Sequence, residues 1–489
     1  MKWGRGVLHA VIFILFILIL LHPQAAQAEM WLASLTSAEG GVYVQRGGQT
    51  EWTPVKITEK FFPGDTLRVD GESRAALLFN NDSTMRLDQN TTLVFQGMEE
   101  ETVLMQLLKG SASFFSRIKR SLKMFTPHAD AAVKGTEFFA RVDSTGTFIT
   151  LFEGQMLTEN ERGSLLLSGG QSAMARAGEA PVTVTVVRPR DAVQWALYYP
   201  PILDLRPEDF HGDADWQVKA RKSVEAYRKG DLAGASSSLK GLPEDAGDLN
   251  YHLYRASLLL RVGRVDEANA AIDRSLRLDP QSSPAHALNS IIAVVQNRKD
   301  EGIDLAKKAV ETDPKSSPAL IALSYAQQAR FDLKGALASV QEAVKLSPND
   351  AHARARLAEI WLAQGYLDRA LEEAGTAAAA NPELARTQSV LGYAYLTQVK
   401  IDEAKRAFEK AIAFDPADPL PRLGLGLARI RKGDLKEGRQ EIEIAASLDV
   451  NNAIVRSYLG KAYYEEKRES LSATQFGIAK QLDPMDPTP

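Results

Sequence analysis

Apolar and polar positions follow two different periods along the chain, and the change falls near its middle. From about residue 249 onward, apolar residues recur at helical spacing in paired segments. Ala256–Val262 is followed by Val265–Leu278, and Leu391–Gln398 by Ile401–Phe414, with short polar turns between them (Gly263-Arg264, Gly365-Tyr366, Gly433-Asp434). The pairs are punctuated by Asp279-Pro280, Asp313-Pro314, Ser347-Pro348, Asn381-Pro382, Asp415-Pro416, Asp449-Val450 and Asp483-Pro484, whose second members stand 34 residues apart. Upstream, residues 29–188 lose the helical period. Short runs of period two replace it, bounded by Gly, Asn and Asp: Gly41–Val44, Ala75–Asn80, Thr84–Leu87, Thr91–Gln96, Val103–Leu108, Phe138–Val142, Phe148–Phe152, Ser164–Leu167 and Val182–Val187. Asp143-Ser144-Thr145-Gly146 between two such runs predicts a hairpin. The pattern therefore predicts a multi-domain chain, all-β first and all-α afterwards.

A third pattern opens the chain. Lys2 and Arg5 precede an almost wholly apolar run from Val7 to Leu21, Pro23 breaks it, and Ala26-Gln27-Ala28 is the small-x-small pattern of a signal-peptidase site. A run of that length is short against the ~20 residues of a spanning helix. Residues 1–28 are expected to be a signal peptide cleaved after Ala28, which places the mature protein in the periplasm or outer envelope; the alternative is an uncleaved anchor.

The 34-residue helix–turn–helix period resembles the tetratricopeptide repeat (TPR) family. Small residues hold one column where paired helices cross (Ala268, Ala336, Ala370, Ala404) and a second at Ser275, Ala309, Ala343, Ala377, Ala411, Ala445 and Ala479. Gly302 and Gly438 depart from the first column. Seven repeats are expected over 249–485, with a degenerate helical repeat at 214–246 and an aromatic, proline-rich linker at 189–213. Stacked units bury a shared core and leave a concave groove. The resemblance implies that the first helix of each repeat lines this groove. That puts Asn250, Ser257, Arg261, Tyr325, Gln328, His352, Glu359, Arg386, Tyr393, Leu427, Arg431, Lys461 and Tyr464 on the partner-binding face. The positions where some members clamp a carboxylate-ended peptide hold Leu253, Ala287, Ile321, Ala355, Ser389, Leu423 and Ser457 here. A hydrophobic peptide or helix is the expected occupant instead.

In the first half, Val133-Lys134-Gly135-Thr136-Glu137-Phe138 is followed by Thr147–Phe152, Glu153-Gly154 and Ser168-Gly169-Gly170-Gln171, with Pro63-Gly64-Asp65-Thr66-Leu67 upstream. Together these resemble a FecR-type periplasmic domain, expected over 29–188. Gly135, Thr136, Phe138, Glu153, Gly154, Gly170 and Gln171 are its motif residues, and their expected role is to maintain the fold. Members of that family relay signals through a cytoplasmic segment and a membrane span. Here only six residues precede the apolar run, so the resemblance carries over the periplasmic fold alone.

Composition narrows the function. The 489 residues contain no Cys, which removes disulfides, thiolate metal sites and Cys nucleophiles. Lys+Arg 58 against Asp+Glu 62 gives no electrostatic reason to expect nucleic acid. His128, His211, His252, His286 and His352 fall at no metal-binding spacing, and no phosphate-cradling loop or nucleophile elbow is present. No cofactor, metal or catalysis is expected. The reading is an exported, non-enzymatic scaffold that binds envelope or outer-membrane proteins. The alternatives are a FecR-type signal relay and a glycan- or cell-wall-binding protein, the latter resting on Trp31, Trp52, Trp195 and Tyr198. Arg117–Lys123 offers membrane-surface contact. The repeat array ends without an extra polar helix, which leaves oligomerisation through its last repeat open. Trp195–Pro201 is too aromatic for a flexible linker and is expected to pack one domain against the other.

Overall fold

The computed structural model describes residues 30–100, 102–116, 122–186, 189–229, 231–242 and 245–484. Residues 1–28, expected to be a signal peptide, and most of Arg117–Lys123 lie outside the described residues.

The N-terminal region is sheet-rich, with fifteen strands among the described residues. They are β1 Ala33–Glu39, β2 Val42–Gln45, β3 Trp52–Pro54, β4 Lys60–Phe61, β5 Thr66–Val69, β6 Arg74–Phe79, β7 Thr84–Leu87, β8 Thr91–Glu99, β9 Thr102–Phe115, β10 Leu122–Phe125, β11 Asp130–Asp143, β12 Gly146–Asn160, β13 Gly163–Ser168, β14 Ser172–Ala175 and β15 Val182–Val184. They form one connected sheet whose main path runs β15-β14-β12-β11-β10-β9-β7-β6-β1-β4. A second branch, β3-β2-β5-β8, joins it through β9. The expected hairpin closes β11 onto β12, with Asp143 opposite Gly146. Inward side chains of both branches make a single core in which Phe61 stacks on Phe95 at 4.9 Å and Phe114 lies 5.4 Å from Phe138. The run Thr84–Leu87 is buried at every position. A half-buried antiparallel strand shows water one face, so something covers the outer side of this part of the sheet.

The C-terminal region is an all-helical solenoid. Two short 3-10 stretches, Pro189–Ala196 and Pro207–Asp209, lead into it. The helices are α1 Asp215–Arg228, α2 Leu232–Leu239, α3 Leu249–Arg261, α4 Val265–Leu278, α5 Ser283–Val295, α6 Lys299–Thr312, α7 Ser317–Ala329, α8 Leu333–Leu346, α9 Ala351–Ala363, α10 Leu367–Ala380, α11 Ala385–Thr397, α12 Ile401–Phe414, α13 Pro419–Lys432, α14 Leu435–Leu448, α15 Ala453–Glu465 and α16 Glu469–Leu482. First helices of the pairs open on caps such as Asp248, Ser282, Ser316, Asp350, Asp418 and Asn452, each accepting a backbone N–H of the first turn. The turns within the pairs share one device. A left-handed residue stands at 263, 297, 331, 365, 399, 433 and 467, and the N–H after it reaches back to a carbonyl five residues earlier, as Arg264 N to Leu259 O at 2.8 Å and Lys400 N to Tyr395 O at 3.0 Å.

The solenoid bends round until its last repeat meets its second. Asn297 Nδ2 donates to Leu482 O at 2.6 Å, and Lys299 Nζ pairs with Asp483 Oδ1 at 2.8 Å. The end expected to stand open therefore receives contacts from its own chain. The sheet sits against α13, α14 and α15. Ala76 and Leu78 pack on Ile444 and Leu448, Phe115 joins the cluster of Leu423, Ile442 and Leu459, and Phe139 packs with Val193, Ala196 and Val450. From Glu441 to Leu448, α14 is buried all round, because repeats cover one side and the sheet the other. No helix among the described residues is long and apolar enough to cross a membrane.

Candidate functional site

First helices of successive repeats lie side by side, so positions 34 residues apart line up along the inner face. Near the middle of the array they form a ladder of charge and phenol. Arg386 (α11) donates from Nη2 to Tyr325 Oη (α7) at 3.0 Å and pairs through Nε with Glu359 Oε1 (α9) at 2.5 Å. Arg356 pairs with the other oxygen of Glu359 at 2.9 Å and lies 3.8 Å over the Tyr325 ring. On the far side, Arg386 Nη1 approaches Asp418 Oδ2 at 3.9 Å. Burial raises the Asp418 carboxyl above the usual range against the pull of Arg386, and the charge of Asp415 adds to the rise. Burial would raise Asp415 too, but Arg261, whose Nη2 stands 2.8 Å from Asp415 Oδ2, holds it below. Tyr198 of the linker donates its hydroxyl to the same oxygen at 3.1 Å, with the Arg261 guanidinium 5.5 Å from its ring.

Of the thirteen groove positions, the structure brings Tyr325, Glu359 and Arg386 into one network and Arg261 into contact with the linker. Tyr393 donates to Leu420 O at 2.7 Å and packs edge-on against Phe408. Ser257 bonds back to Leu253 O. Burial lowers the pKa of His352. Asn250 and Gln328 are half-buried outside the ladder, and Leu427 joins the core of the last repeats. Arg431, Lys461 and Tyr464 are exposed, Tyr464 at 64%. Beside them Lys461 Nζ lies 4.8 Å from the Tyr458 ring centroid.

A cavity of about 490 Å³ opens between the first and the middle repeats. Ser257, Arg261, His352 and Arg386 reach it from the groove positions; Tyr227, Tyr254 and Phe414 add aromatic walls; and Tyr198, Pro201, Leu203 and Leu205 close it from the linker.

The residues that join sheet to solenoid went unmarked in the sequence. Arg74, Arg86, Arg439 and Arg456 are among the largest fully buried side chains, and all four stand at this junction. Arg74 pairs with Glu39 and donates to Trp195 O at 3.0 Å, Leu197 O at 3.3 Å and Arg261 O at 2.8 Å. Arg86 donates to Ala196 O at 2.7 Å and to Leu448 O. Arg456 Nη2 pairs with Glu137 Oε1 at 2.6 Å. Arg439 pairs with Glu443 at 2.6 Å and Glu466 at 2.8 Å, while its neighbour Gln440 donates to Asp82 Oδ1 at 2.7 Å. No local signal marked Arg86, because a charge in the polar phase of a short alternating run is also what a solvated strand face shows.

The FecR-like motif residues shape the sheet. Phe138 is in the core. Gly135 and Thr136 lie on β11 where its register against β12 shifts, and Glu153 stands opposite Glu137 just beyond. Gly154 O accepts Gly169 N at 3.2 Å, Gly170 N donates to Leu151 O at 2.7 Å, and Gln171 Oε1 accepts Ser168 N at 2.7 Å.

These features define a helical-repeat solenoid protein with a sheet-rich module fastened to it. The chain carries a FecR domain, matching the family described as FecR protein over residues 65–157. It also carries tetratricopeptide repeats, matched over 253–317 and 389–449. Both families are generally non-catalytic. No curated protein matches the chain. Among solved structures it is similar to the APC/C hetero-tetramer Cut9-Hcn1 at 15% identity and TM-score 0.46, covering 57% of this chain and 54% of that one, so it spans about half the length of that chain. It is also similar to TTC0263, a thermophilic TPR protein of Thermus thermophilus, at 21% identity and TM-score 0.33, covering 37% of this chain and 99% of that one. A third likeness is to pilF of Pseudomonas aeruginosa, at 19% identity and TM-score 0.31, covering 43% of this chain and 95% of that one.

Proposed function

We propose that the protein is an exported, non-enzymatic interaction scaffold of the bacterial cell envelope, in which a FecR-like domain and a TPR solenoid act as one rigid body. The observation that carries this reading is the state of the inner face. It is closed by its own ladder and linker through the middle repeats and open at the last two, where Tyr464, Lys461 and Arg431 face solvent. An aromatic ring with cations beside it is the residue set that dominates binding hot spots. A partner segment docks there, with the sheet-rich module holding α13–α15 in place behind it. The FecR match and the buried arginines between the two parts favour envelope signalling as the use of that binding, because a displacement of the sheet is carried directly into the partner-bearing repeats.

Site-specific photo-crosslinking in cells tests the reading. A crosslinker at Tyr464 is expected to trap one discrete envelope protein, and Lys461→Glu is expected to abolish the product. The same crosslinker at Glu409, exposed on the outer helix α12, is the control. Equal products from both positions would refute the assignment. N-terminal sequencing of the mature protein is expected to begin at Glu29.

A further inference from the structure

Residues 197–206 form no helix or strand, yet Leu197, Tyr198, Tyr199 and Ile202 are buried. Leu197, Tyr199 and Ile202 belong to the same apolar cluster as Leu253, Leu260 and Ile292 of the first repeats. Tyr198 is held by Asp415 and Arg261, and Tyr199 Oη accepts a hydrogen bond from Gln296 Nε2 at 3.3 Å. Pro200 and Pro201 fix their own φ and bias the residues before them to extended backbone. Two aromatic side chains followed by two prolines, laid in a groove lined by Arg and Tyr, is how a proline-rich ligand is bound by a receptor.

The segment is anchored in two parts. The carbonyls of Trp195, Ala196 and Leu197 accept hydrogen bonds from Arg74 and Arg86 of the sheet. From Tyr198 onward the side chains pack on the solenoid, and the Tyr199 hydroxyl also donates to Gln194 O of the linker at 3.3 Å. The second part breaks no ladder when it leaves, because it belongs to none. It also underfills its site: the cavity of about 490 Å³ lies against Tyr198, Pro201 and Leu203, with Tyr254 and Phe414 on its far wall. That volume lies within the range of small-ligand sites.

We propose that this inner surface is a receptor for an extended aromatic–proline segment, that residues 198–203 are its resident copy, and that an external protein segment of the same chemistry takes their place. The inference rests on the scaffold reading and names a second class of partner segment for the same solenoid. The Trp195–Leu197 carbonyls stay on their arginines during the exchange, so the sheet remains docked while the groove changes occupant. The concentration of the tethered copy sets the threshold an external segment must exceed.

The test uses the full-length protein and a fluorescent peptide of residues 197–205, read by anisotropy. A Tyr198→Ala/Tyr199→Ala chain, its resident copy weakened, is expected to bind the peptide about tenfold or more tightly than wild type does, since the competent state is then more populated. Adding Asp415→Asn is expected to reverse that gain. Equal affinity for both chains, or no binding to a variant with wild-type circular dichroism, overturns the proposal. Should the double variant not fold, hydrogen exchange on wild type decides. Saturating peptide is expected to expose the amides of 198–203 and leave those of β7 and α14 protected, and an unchanged pattern overturns the proposal. Neither arm uses a cellular partner, so a blank crosslink at Tyr464 leaves this inference standing, and a blank peptide titration leaves the scaffold reading standing.

Discussion

Val399 holds φ at 62° with its side chain 57% exposed. A β-branched residue in the left-handed region is an outlier, and for a residue with a Cβ the region costs about 1–2 kcal/mol. The turn demands it nonetheless, because only that conformation lets Lys400 N reach Tyr395 O. Glycine meets the demand without strain at 263, 365 and 433, whereas Asn297, Phe331, Val399 and Lys467 meet it against their own preference. Val399→Gly is expected to stabilise the protein by about 1 kcal/mol, seen as a higher urea midpoint at unchanged slope. The turn glycines were visible in the sequence; the four other residues were not, because Asn, Phe, Val and Lys share no chemistry. The groove positions divide in the same way. The 34-residue period places Tyr325, Glu359 and Arg386 on one face, and the structure puts them in contact. The period marks Asp415 and Asp418 as turn and cap residues and does not announce that Asp415 and Tyr198 meet Arg261, a contact between distant parts of the chain.

At the scale of the element, α13 and α14 touch backbone to backbone. A Cβ built on Gly438 would stand 2.6 Å from Gly426 O, and one on Gly426 would stand 2.6 Å from Gly438 O. The departure of Gly438 from the alanine column is therefore a requirement of this crossing. Gly438→Ala is expected to lower stability by about 1–2 kcal/mol, the cost of overpacking exceeding the gain of about 1 kcal/mol in helix propensity. Thermal unfolding beside an exposed control, Gly375→Ala, checks it, since a Cβ at Gly375 meets nothing within 4 Å. The paired helices were legible because their apolar stripes repeat without slippage. The strands were legible only where alternation was strong: Thr84–Leu87 matches β7 residue for residue, while β1 reads Ala-Ser-Leu-Thr-Ser-Ala-Glu and hides its period in small residues. The longest strands, β9, β11 and β12, extend beyond the runs that marked them. Sheet order was out of reach, since pairing such as β10 parallel to β9 joins residues that local pattern does not relate.

The whole molecule is joined by buried charge. Glu137 and Arg456 are fully buried and meet 2.6 Å apart across the boundary between sheet and solenoid. Removing Arg456 takes the nearest cation from a buried carboxylate whose second cation, Arg190, stands at 3.6 Å. Breaking a buried pair costs about 3–5 kcal/mol, whereas replacing both members with apolar residues is often neutral or better. Arg456→Ala is accordingly expected to lose about 3–5 kcal/mol and to split a single urea transition into two, followed in a Trp216→Phe/Trp361→Phe background by tryptophan fluorescence for the sheet and its junction and by far-UV circular dichroism for the helices. Arg456→Met combined with Glu137→Leu is expected to recover most of the loss. A cost below about 1 kcal/mol for Arg456→Ala would mean that the other junction contacts, those of Arg74 and Arg86 and the apolar packing of Phe115 and Phe139, hold the two parts together without this pair.

Repeat proteins ordinarily come apart from their ends, each unit leaning on one neighbour. Here Asn297 and Lys299 take hold of the final turn at Leu482 and Asp483. The last unit thus leans on two others, one beside it in sequence and one almost two hundred residues away. The array behaves less like a row of dominoes than like a buckled belt, whose tail cannot peel away until the buckle lets go.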